Sequence, residues 1–412
     1  MTALVIIDWV LFVLIALSVL YVLVFALSAA VARWCRSSKV ETPLGYAEFQ
    51  PPYFLIIIPA YKEDLVIRDT VEAALQLNYT AGGGAQMYGY SAPLGYQICV
   101  VADHMNPETI SWLSSKPVSV VEATYADSTK GKALHAAVSS CYNPDVHTHV
   151  VVLDADNIVL PDFLQRLASY CLSSDVVALQ AHRTAKNMST PIAMLDAISE
   201  EINNSVFRLG HNTLGLSSAL IGSGMCFRAE WFADAVQHLE TAGEDKELEH
   251  TLLFEGHKIH YLNDLYVLDE KVSDSRNFGQ QRRRWLAAQF FTFKQMLKDL
   301  PAAIRNGRID YIDKTFQQML IPRSLLIALC SLLSLVSTIL ACQMRRYNGE
   351  IKWWVMLAVL VVALLVAIPR YLYNRQMLRA LLSLPLLTVR MVGSLLHVRG
   401  ATHNYIHTEH SA

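Results

Sequence analysis

A chain of 412 residues with 53% apolar and only 17% charged residues is too apolar for an ordinary soluble enzyme. Its formal charge of −2 offers no basic surface to nucleic acid, and its 7 cysteines include no C-x-x-C pair, which argues against a zinc or disulfide framework. The apolar excess is concentrated at the two ends.

Val10–Ala32 is an uncharged run long enough, at about 1.5 Å per residue, to span a bilayer with some tilt. No Lys or Arg precedes it, so it reads as an anchor rather than a cleaved signal peptide. Arg33, Arg36 and Lys39 follow at once and place the downstream chain in the cytoplasm by the positive-inside rule.

Tyr53–Ile58 reads as a strand running into Pro59-Ala60-Tyr61-Lys62-Glu63-Asp64, with a helix after it to about Leu77. Thr80–Gly95, with its G-G-G run, is a Gly/Tyr-rich surface insertion by composition. Gln97–Ala102 is the next strand and ends at Asp103. Asn106-Pro107-Glu108-Thr109 has the pattern of a helix start. Pro117–Val121 is a short strand, and Lys130-Gly131-Lys132 opens a helix with the small-residue face Ala133, Ala136, Ala137 and Ser140.

Val150–Leu153 reads as a buried strand that stops at Asp154-Ala155-Asp156. Two acids at the end of a buried strand are costly unless something needs them. Mg2+ or Mn2+ would, because such ions take hard oxygen ligands from one or two carboxylates. A solvated acidic turn would read the same on these three residues alone. The alternation of strands and helices over 53–160 predicts a mostly parallel, doubly wound sheet. Ligands of such sheets sit beyond the carboxyl ends of the strands, where this chain carries Tyr61 and Glu63, Asp103, and Asp154 and Asp156.

The second half is less regular. Val176–Ala181 reads as a strand, Ile192–Asn212 as a helix polar on one face, and Ile221–Phe227 as a strand whose glycines allow a close backbone approach. Gly243-Glu244-Asp245 precedes a helix, and His257–Val267 gives two short strand-like pieces. In Phe278–Leu286, helical spacing places Gln281, Arg284 and Trp285 on one face. Arg282 and Arg283 are then left to face anionic lipid. His182, His257 and His260 lack metal-ligand spacing.

Ser324–Met344 and Trp353–Pro369 read as two further spans, and Arg379–Val398 as an amphipathic helix lying at the interface. Three spans put the N-terminus outside and the C-terminal tail in the cytoplasm, although the 345–352 loop then carries positive charge outside. The division expected is an anchor over 1–40, a catalytic domain over 41–275, interface helices over 276–322, membrane and interface helices over 323–400, and a tail over 401–412.

Six motifs stand in order: P-A-Y-K-E-D at 59–64, V-A-D at 101–103, K-G-K-A at 130–133, D-A-D at 154–156, G-E-D at 243–245 and Q-R-R-R-W at 281–285. With these in front of membrane spans, the chain resembles the membrane-embedded family-2 glycosyltransferases. That group holds cellulose, chitin, hyaluronan and poly-N-acetylglucosamine synthases and ceramide glucosyltransferase. The resemblance covers Tyr53 to about Ala288 and the membrane layout.

The resemblance implies a cytoplasmic α/β domain of the GT-A, Rossmann-like fold with transmembrane helices at both ends. It also implies inverting transfer from a UDP-sugar donor with Mg2+ or Mn2+. Carried over by motif, Asp156 with Asp154 would hold the metal on the diphosphate, while Tyr61, Glu63 and Asp103 would hold the nucleotide and Lys132 would lie near it. Asp245 would be the general base, with Glu244 the adjacent alternative, and Gln281, Arg284 and Trp285 would flank acceptor and diphosphate. The acceptor is expected to be a growing β-linked polysaccharide, with a membrane lipid as the alternative. A non-enzymatic transporter or receptor with a degenerate domain would lack acids in these motifs, and none is missing. The membrane portion is smaller than a polymer channel needs, so the protein oligomerises, hands its product to an export partner, or secretes no polymer. The simple layout suits a bacterial inner membrane.

Overall fold

The structure is a computed structural model describing residues 2–35, 51–80, 95–173, 176–241, 243–271, 275–343 and 350–382, with backbone alone for 2–4 and 275–288. Most of the 80–95 insertion, the 401–412 tail and the greater part of 379–398 lie outside the described residues.

Among the described residues, eight strands form one mixed sheet. They are β1 (Phe54–Tyr61), β2 (Tyr96–Asp103), β3 (Ser119–Ala123), β4 (His149–Val152), β5 (Ile158–Val159), β6 (Ala178–Ala185), β7 (Met225–Arg228) and β8 (Ile259–Asp269), in spatial order β3-β2-β1-β4-β7-β6-β8-β5. The first four are parallel, as the alternating pattern predicts. Their centres are nearly continuous apolar runs because helices cover both faces. β7 then reverses direction between β4 and β6, β8 runs parallel to β6, and β5 pairs antiparallel with the end of β8.

Around the sheet lie α1 (Thr2–Cys35), α2 (Ile67–Leu75), α3 (Pro107–Ser114), α4 (Lys130–Cys141), α5 (Phe163–Ser173) and α6 (Pro191–Asn203). Ile67, Val71 and Ala74 of α2 bury against one face of the sheet, while Ala133, Leu134 and Ala137 of α4 bury against the other. At the start of α4 the Thr129 hydroxyl accepts the Lys132 backbone N–H, which caps the first turn. After α6 the helix widens into a π turn (Asn204–Leu209) and continues as α7 (Gly210–Thr213). Next come α8 (Ala229–Ala235) and α9 (Glu244–Glu255).

The remaining helices are α10 (Ser275–Arg305), α11 (Ile309–Met319), α12 (Arg323–Gln343), α13 (Glu350–Ala367) and α14 (Arg375–Leu382). Val5–Cys35, Arg323–Gln343 and Glu350–Ala367 are long and apolar enough to cross a membrane. Their outward faces present Ile6, Leu14, Leu20, Leu332, Ile339 and Val362, surface that lipid rather than water would cover. α1 packs along α13 through Ile15, Val19, Trp353, Met356 and Leu360, then reaches the α6–α7 segment through Val22, Phe25 and Ala26. At that crossing a Cβ on Gly210 would lie 2.3 Å from the Phe25 carbonyl oxygen, so only glycine lets the two backbones meet.

Two sequence expectations need correction. Ile221–Phe227 is not a strand throughout: β7 begins only at Met225, and Gly222 and Gly224 take left-handed conformations with φ of 83° and 64°. His257–Val267 is one strand, β8, with a register irregularity opposite Ala181 and His182 rather than a break. Ile158–Val159, which the sequence reading left unassigned, is a strand because it closes on the end of β8.

Candidate active site

The parallel register sets β1 and β2 to end at one level, with Tyr61 opposite Asp103. Both chains then turn through a left-handed residue, Lys62 with φ of 58° and His104 with φ of 54°. Such conformations are uncommon outside glycine and often mark functional turns. They are held by the Lys62 N–H donating to the Asp103 carbonyl (3.1 Å) and the His104 N–H donating to the Ala123 carbonyl (3.3 Å). Asp103 is buried, with the His104 Nδ1 2.6 Å from its Oδ1, and the Tyr61 and His104 rings meet edge to face at 5.6 Å. Burial, with the Asp103 charge added to it, pushes the Tyr125 phenol up. Asp64 accepts the Asn106 N–H at 2.8 Å and so joins the two turns.

Beyond β4 the Asp154-Ala155-Asp156-Asn157 turn is organised by Asn157, which is fully buried. Its Oδ1 accepts the Asp154 N–H (3.1 Å) and the Ser223 hydroxyl. Its Nδ2 donates to both Asp156 Oδ1 and Asp269 Oδ1 at 3.1 Å. The β5–β8 pairing brings Asp269 here, and oxygens of Asp154, Asp156 and Asp269 lie within 4.8 Å of one another.

Basic residues close around these acids. Lys130 donates to Asp154, donates to the Gly222 carbonyl at 2.7 Å, and stands 3.4 Å from Glu244 Oε1. Arg183 pairs with Glu200 (2.7 Å) and lies 3.8 Å from both Asp154 and Asp269. Lys271 pairs with Glu200 and with Asp269 (2.6 Å). Burial opposes the charge on Glu200, but Arg183 and Lys271 outweigh it and hold the carboxyl down to about 2. Leaving aside Glu244, Asp154, Asp156, Glu200 and Asp269 thus face Lys130, Arg183 and Lys271, an excess of one negative formal charge. An all-oxygen donor set with that excess fits a hard divalent cation.

Glu244 and Asp245 occupy the first turn of α9, and, as neighbours on a helix, they point differently. Glu244 is buried toward Lys130; burial, with the Asp245 and Asp154 charges added, pushes it up to about 7 against the pull of Lys130. Gly222 fits between them: a Cβ there would meet Glu244 Oε1 at 3.5 Å and Lys130 Nζ at 3.8 Å. Asp245 is partly exposed, accepts the Lys246 N–H at 2.8 Å, and lies 3.7 Å from Lys246 Nζ.

Of the residues singled out by sequence, the structure gathers Tyr61 and Asp103 at one end and Asp154, Asp156 and Glu244 at the other. Glu63 lies in the turn between β1 and α2, its N–H on the Met105 sulfur at 3.2 Å. Lys132 is not brought to the acids: its ammonium donates to the Asp127 carbonyl (2.6 Å) and lies over the Tyr125 ring, while Lys130 takes the place beside Asp154. Gln281, Arg284 and Trp285 lie on α10, and their side chains fall outside the described residues. The sequence reading missed Asn157, Arg183, Glu200, Asp269 and Lys271. Its available signal was charge within otherwise apolar segments, as at Arg183 in the A-L-Q-A-H-R-T-A strand and Glu200 on the apolar α6.

A family model described as glycosyltransferase like family 2 matches residues 51–288. Two Arabidopsis thaliana proteins are similar. Probable glucomannan 4-beta-mannosyltransferase 10 is 26% identical over 320 residues, covering 73% of this chain and 53% of that one. Probable glucomannan 4-beta-mannosyltransferase 11 is 23% identical over 297 residues, covering 67% and 61%. The chain therefore spans little more than half the length of these curated relatives. Among solved structures, the mannosyltransferase PcManGT from Pyrobaculum calidifontis in complex with GDP-Man and Mn2+ aligns with a TM-score of 0.48 at 14% identity, over 85% of this chain and 98% of that one.

Proposed function

The chain belongs to glycosyltransferase family 2, and from that premise we propose a membrane-embedded inverting hexosyltransferase that extends a β-linked polysaccharide from a nucleotide-sugar donor. The observation that carries the reading is the carboxylate cluster of Asp154, Asp156 and Asp269 at the strand ends, faced across Lys130 and Glu244 by the first turn of α9 with Asp245. The relatives' printed names, 4-beta-mannosyltransferases of glucomannan, support a polysaccharide acceptor over a lipid one.

In this reading the donor lies across the carboxyl ends of β1, β2 and β4. Tyr61, Asp103, Glu63 and Tyr125 surround the base, Asp103 offering a carboxylate to its N–H groups, and Lys132 stands on that side near the nucleotide. The diphosphate extends toward Asp154 and Asp156, which with Asp269 would hold Mg2+ or Mn2+. When bound, the divalent cation offsets the charge left on the departing diphosphate. Lys130, between Asp154 and Glu244, is placed to meet a phosphate oxygen.

Transfer is an in-line displacement. The acceptor oxygen forms its bond to the anomeric carbon as the bond to the diphosphate oxygen breaks, so configuration inverts. Asp245 takes the acceptor hydroxyl proton. Glu244, whose raised carboxyl and Lys130 contact face inward, shapes the charge beside the diphosphate instead. Gln281, Arg284 and Trp285 belong to the acceptor side: Trp285 offers a flat apolar face for a sugar ring and Arg284 a planar fork for phosphate oxygens.

Arg33, Arg36 and Lys39 after the first apolar run support a cytoplasmic catalytic domain by the positive-inside rule. The test is purified protein in nanodiscs with Mn2+ or Mg2+, offered UDP- and GDP-linked hexoses with membrane lipids and short β-linked oligosaccharides. A ladder of water-soluble or retained products is expected. A single solvent-extractable product would overturn the polysaccharide reading in favour of a glycolipid synthase.

A further inference from the structure

Glu249 lies on α9 one turn beyond Asp245 and is buried, as is Lys314 on α11. The Lys314 ammonium is 2.6 Å from Glu249 Oε1. On its other side Glu249 Oε2 lies 3.4 Å from Lys246 Nζ, which in turn is 3.7 Å from Asp245 Oδ2. Charge therefore alternates along Asp245, Lys246, Glu249 and Lys314, from the expected base into a helix that contributes nothing to the sheet. Burying such a pair strips water from both ions before their attraction returns any of that cost, so its presence calls for a role.

The far end of the chain is also fixed. Lys314 donates to Gln317 Oε1 at 3.2 Å, and Gln317 donates to Asp313 at 3.0 Å. Tyr21 of α1 donates to the same Asp313 at 2.8 Å, and His211 lies 3.2 Å from it while stacking on Phe25. The other end of α9 is held too: at its left-handed cap Gly256 the space for a Cβ is filled by the Arg308 guanidinium, from the turn between α10 and α11. Asp156 and Asp269 are instead held by Asn157 and Lys271, from the sheet and its turns, and Asp154 by Lys130 of α4, whose contact with Glu244 is in the first turn of α9 but not on the Asp245 side.

We propose that Lys314 is a positioning residue for sugar transfer: by holding Glu249 it fixes the first turn of α9, and with it Asp245, against a helix tied to the transmembrane helix α1. The inference rests on the transferase reading above. Loss of the tie acts on the acceptor side, where a misplacement of about 1 Å costs on the order of 10- to 100-fold in rate, and leaves nucleotide binding in place. Burial, joined by the Lys246 and Arg208 charges, draws the Lys314 ammonium down to about 8 against the pull of Glu249, so its charge is held by that one carboxylate.

The test compares full-length wild type, Lys314→Met, Lys314→Arg and the double variant Lys314→Met/Glu249→Gln in nanodiscs. The double variant removes both buried charges and keeps the test standing if the single one fails to fold. Three quantities are read: the Kd of UDP and of GDP with Mn2+, the rate of donor hydrolysis without acceptor, and kcat and acceptor KM for transfer. Expected are nucleotide Kd values within about twofold of wild type and transfer lowered about 10-fold or more in the folded Met variants. Turnover should shift toward hydrolysis, and Arg should restore most of the transfer. Unchanged transfer in a folded Met variant, or nucleotide binding lost in step with transfer, overturns the proposal while the wild type still transfers sugar. A wild type that transfers none of the sugars offered overturns the transferase reading, and this inference with it.

Discussion

The Lys130 ammonium stands 3.4 Å from the Glu244 carboxylate while hydrogen-bonded to Asp154, so one side chain links the strand-end acids to the first turn of α9. A cation held at Asp154 would therefore compete with Lys130 for that carboxylate. Lys130→Met is expected to tighten Mn2+ binding in the absence of nucleotide by about tenfold, the worth of one hydrogen bond to a charged group, about 1.5 kcal/mol. Transfer should fall at the same time. Calorimetric titration with Mn2+ alone checks the first part, and weaker binding would remove Lys130 as the competitor.

Glu244 sets a pH dependence. Its carboxyl is pushed up to about 7 from the ordinary 4.5, chiefly by burial. The folded protein therefore holds this proton more tightly than the unfolded chain does. The group's contribution to stability is full below about 4.5 and is lost as pH rises through about 7. Glu244→Gln has no such proton to lose, so its stability relative to wild type should improve by a few kcal/mol between pH 4.5 and 8. Denaturation midpoints across that range check it; a constant gap would contradict it.

Asp245→Asn should abolish transfer, with a fall of at least about 100-fold, while nucleotide with Mn2+ still binds. Equilibrium binding beside a single-turnover assay separates the two effects. Retained turnover removes Asp245 as the base.

Asp156→Ala should lose the metal-dependent part of donor binding. Asp269→Asn should weaken metal binding by about 10-fold or more. Donor affinity measured with and without Mn2+ reports both, and an unchanged difference in the Asp156 variant would refute its assignment as a ligand.

Gly210→Leu drives a side chain into the Phe25 backbone, where even a Cβ would sit 2.3 Å from the carbonyl oxygen. Separating α1 from α7 should cost about 1–3 kcal/mol, visible as a lower melting temperature in detergent. No change would mean that the two helices do not meet there.

The polar residues at the strand ends were legible in the sequence because β1, β2 and β4 are buried on both faces and read as apolar runs, with Tyr61, Asp103 and Asp154 standing out where they stop. The choice between Lys130 and Lys132 was not legible. They flank Gly131 in the first turn of α4, before any apolar period fixes the helix phase, and only the packed helix turns Lys130 toward Asp154. Asp269, Arg183, Lys271 and Glu200 were hidden for a different reason. Their meeting depends on β6 lying parallel to β8 and on β5 closing back on β8, pairings between segments far apart in sequence. The glycines at 222 and 224 suggested a strand because local pattern does not report φ, and Gly224 in particular fits only with its Cβ position 2.9 Å from Val267.

The π turn at Asn204–Leu209 acts as a phase shifter. On an unbroken α-helix at about 100° per residue, Ile198 and Gly210 would point about 120° apart. The one extra residue in the wide turn takes back about 100° of that, so Ile198 joins the apolar cluster with Phe25 and Ala26 and Gly210 still meets Phe25. Deleting a single residue from this turn would rewind the helix and swing Gly210 and His211 away from α1, opening the crossing at Phe25.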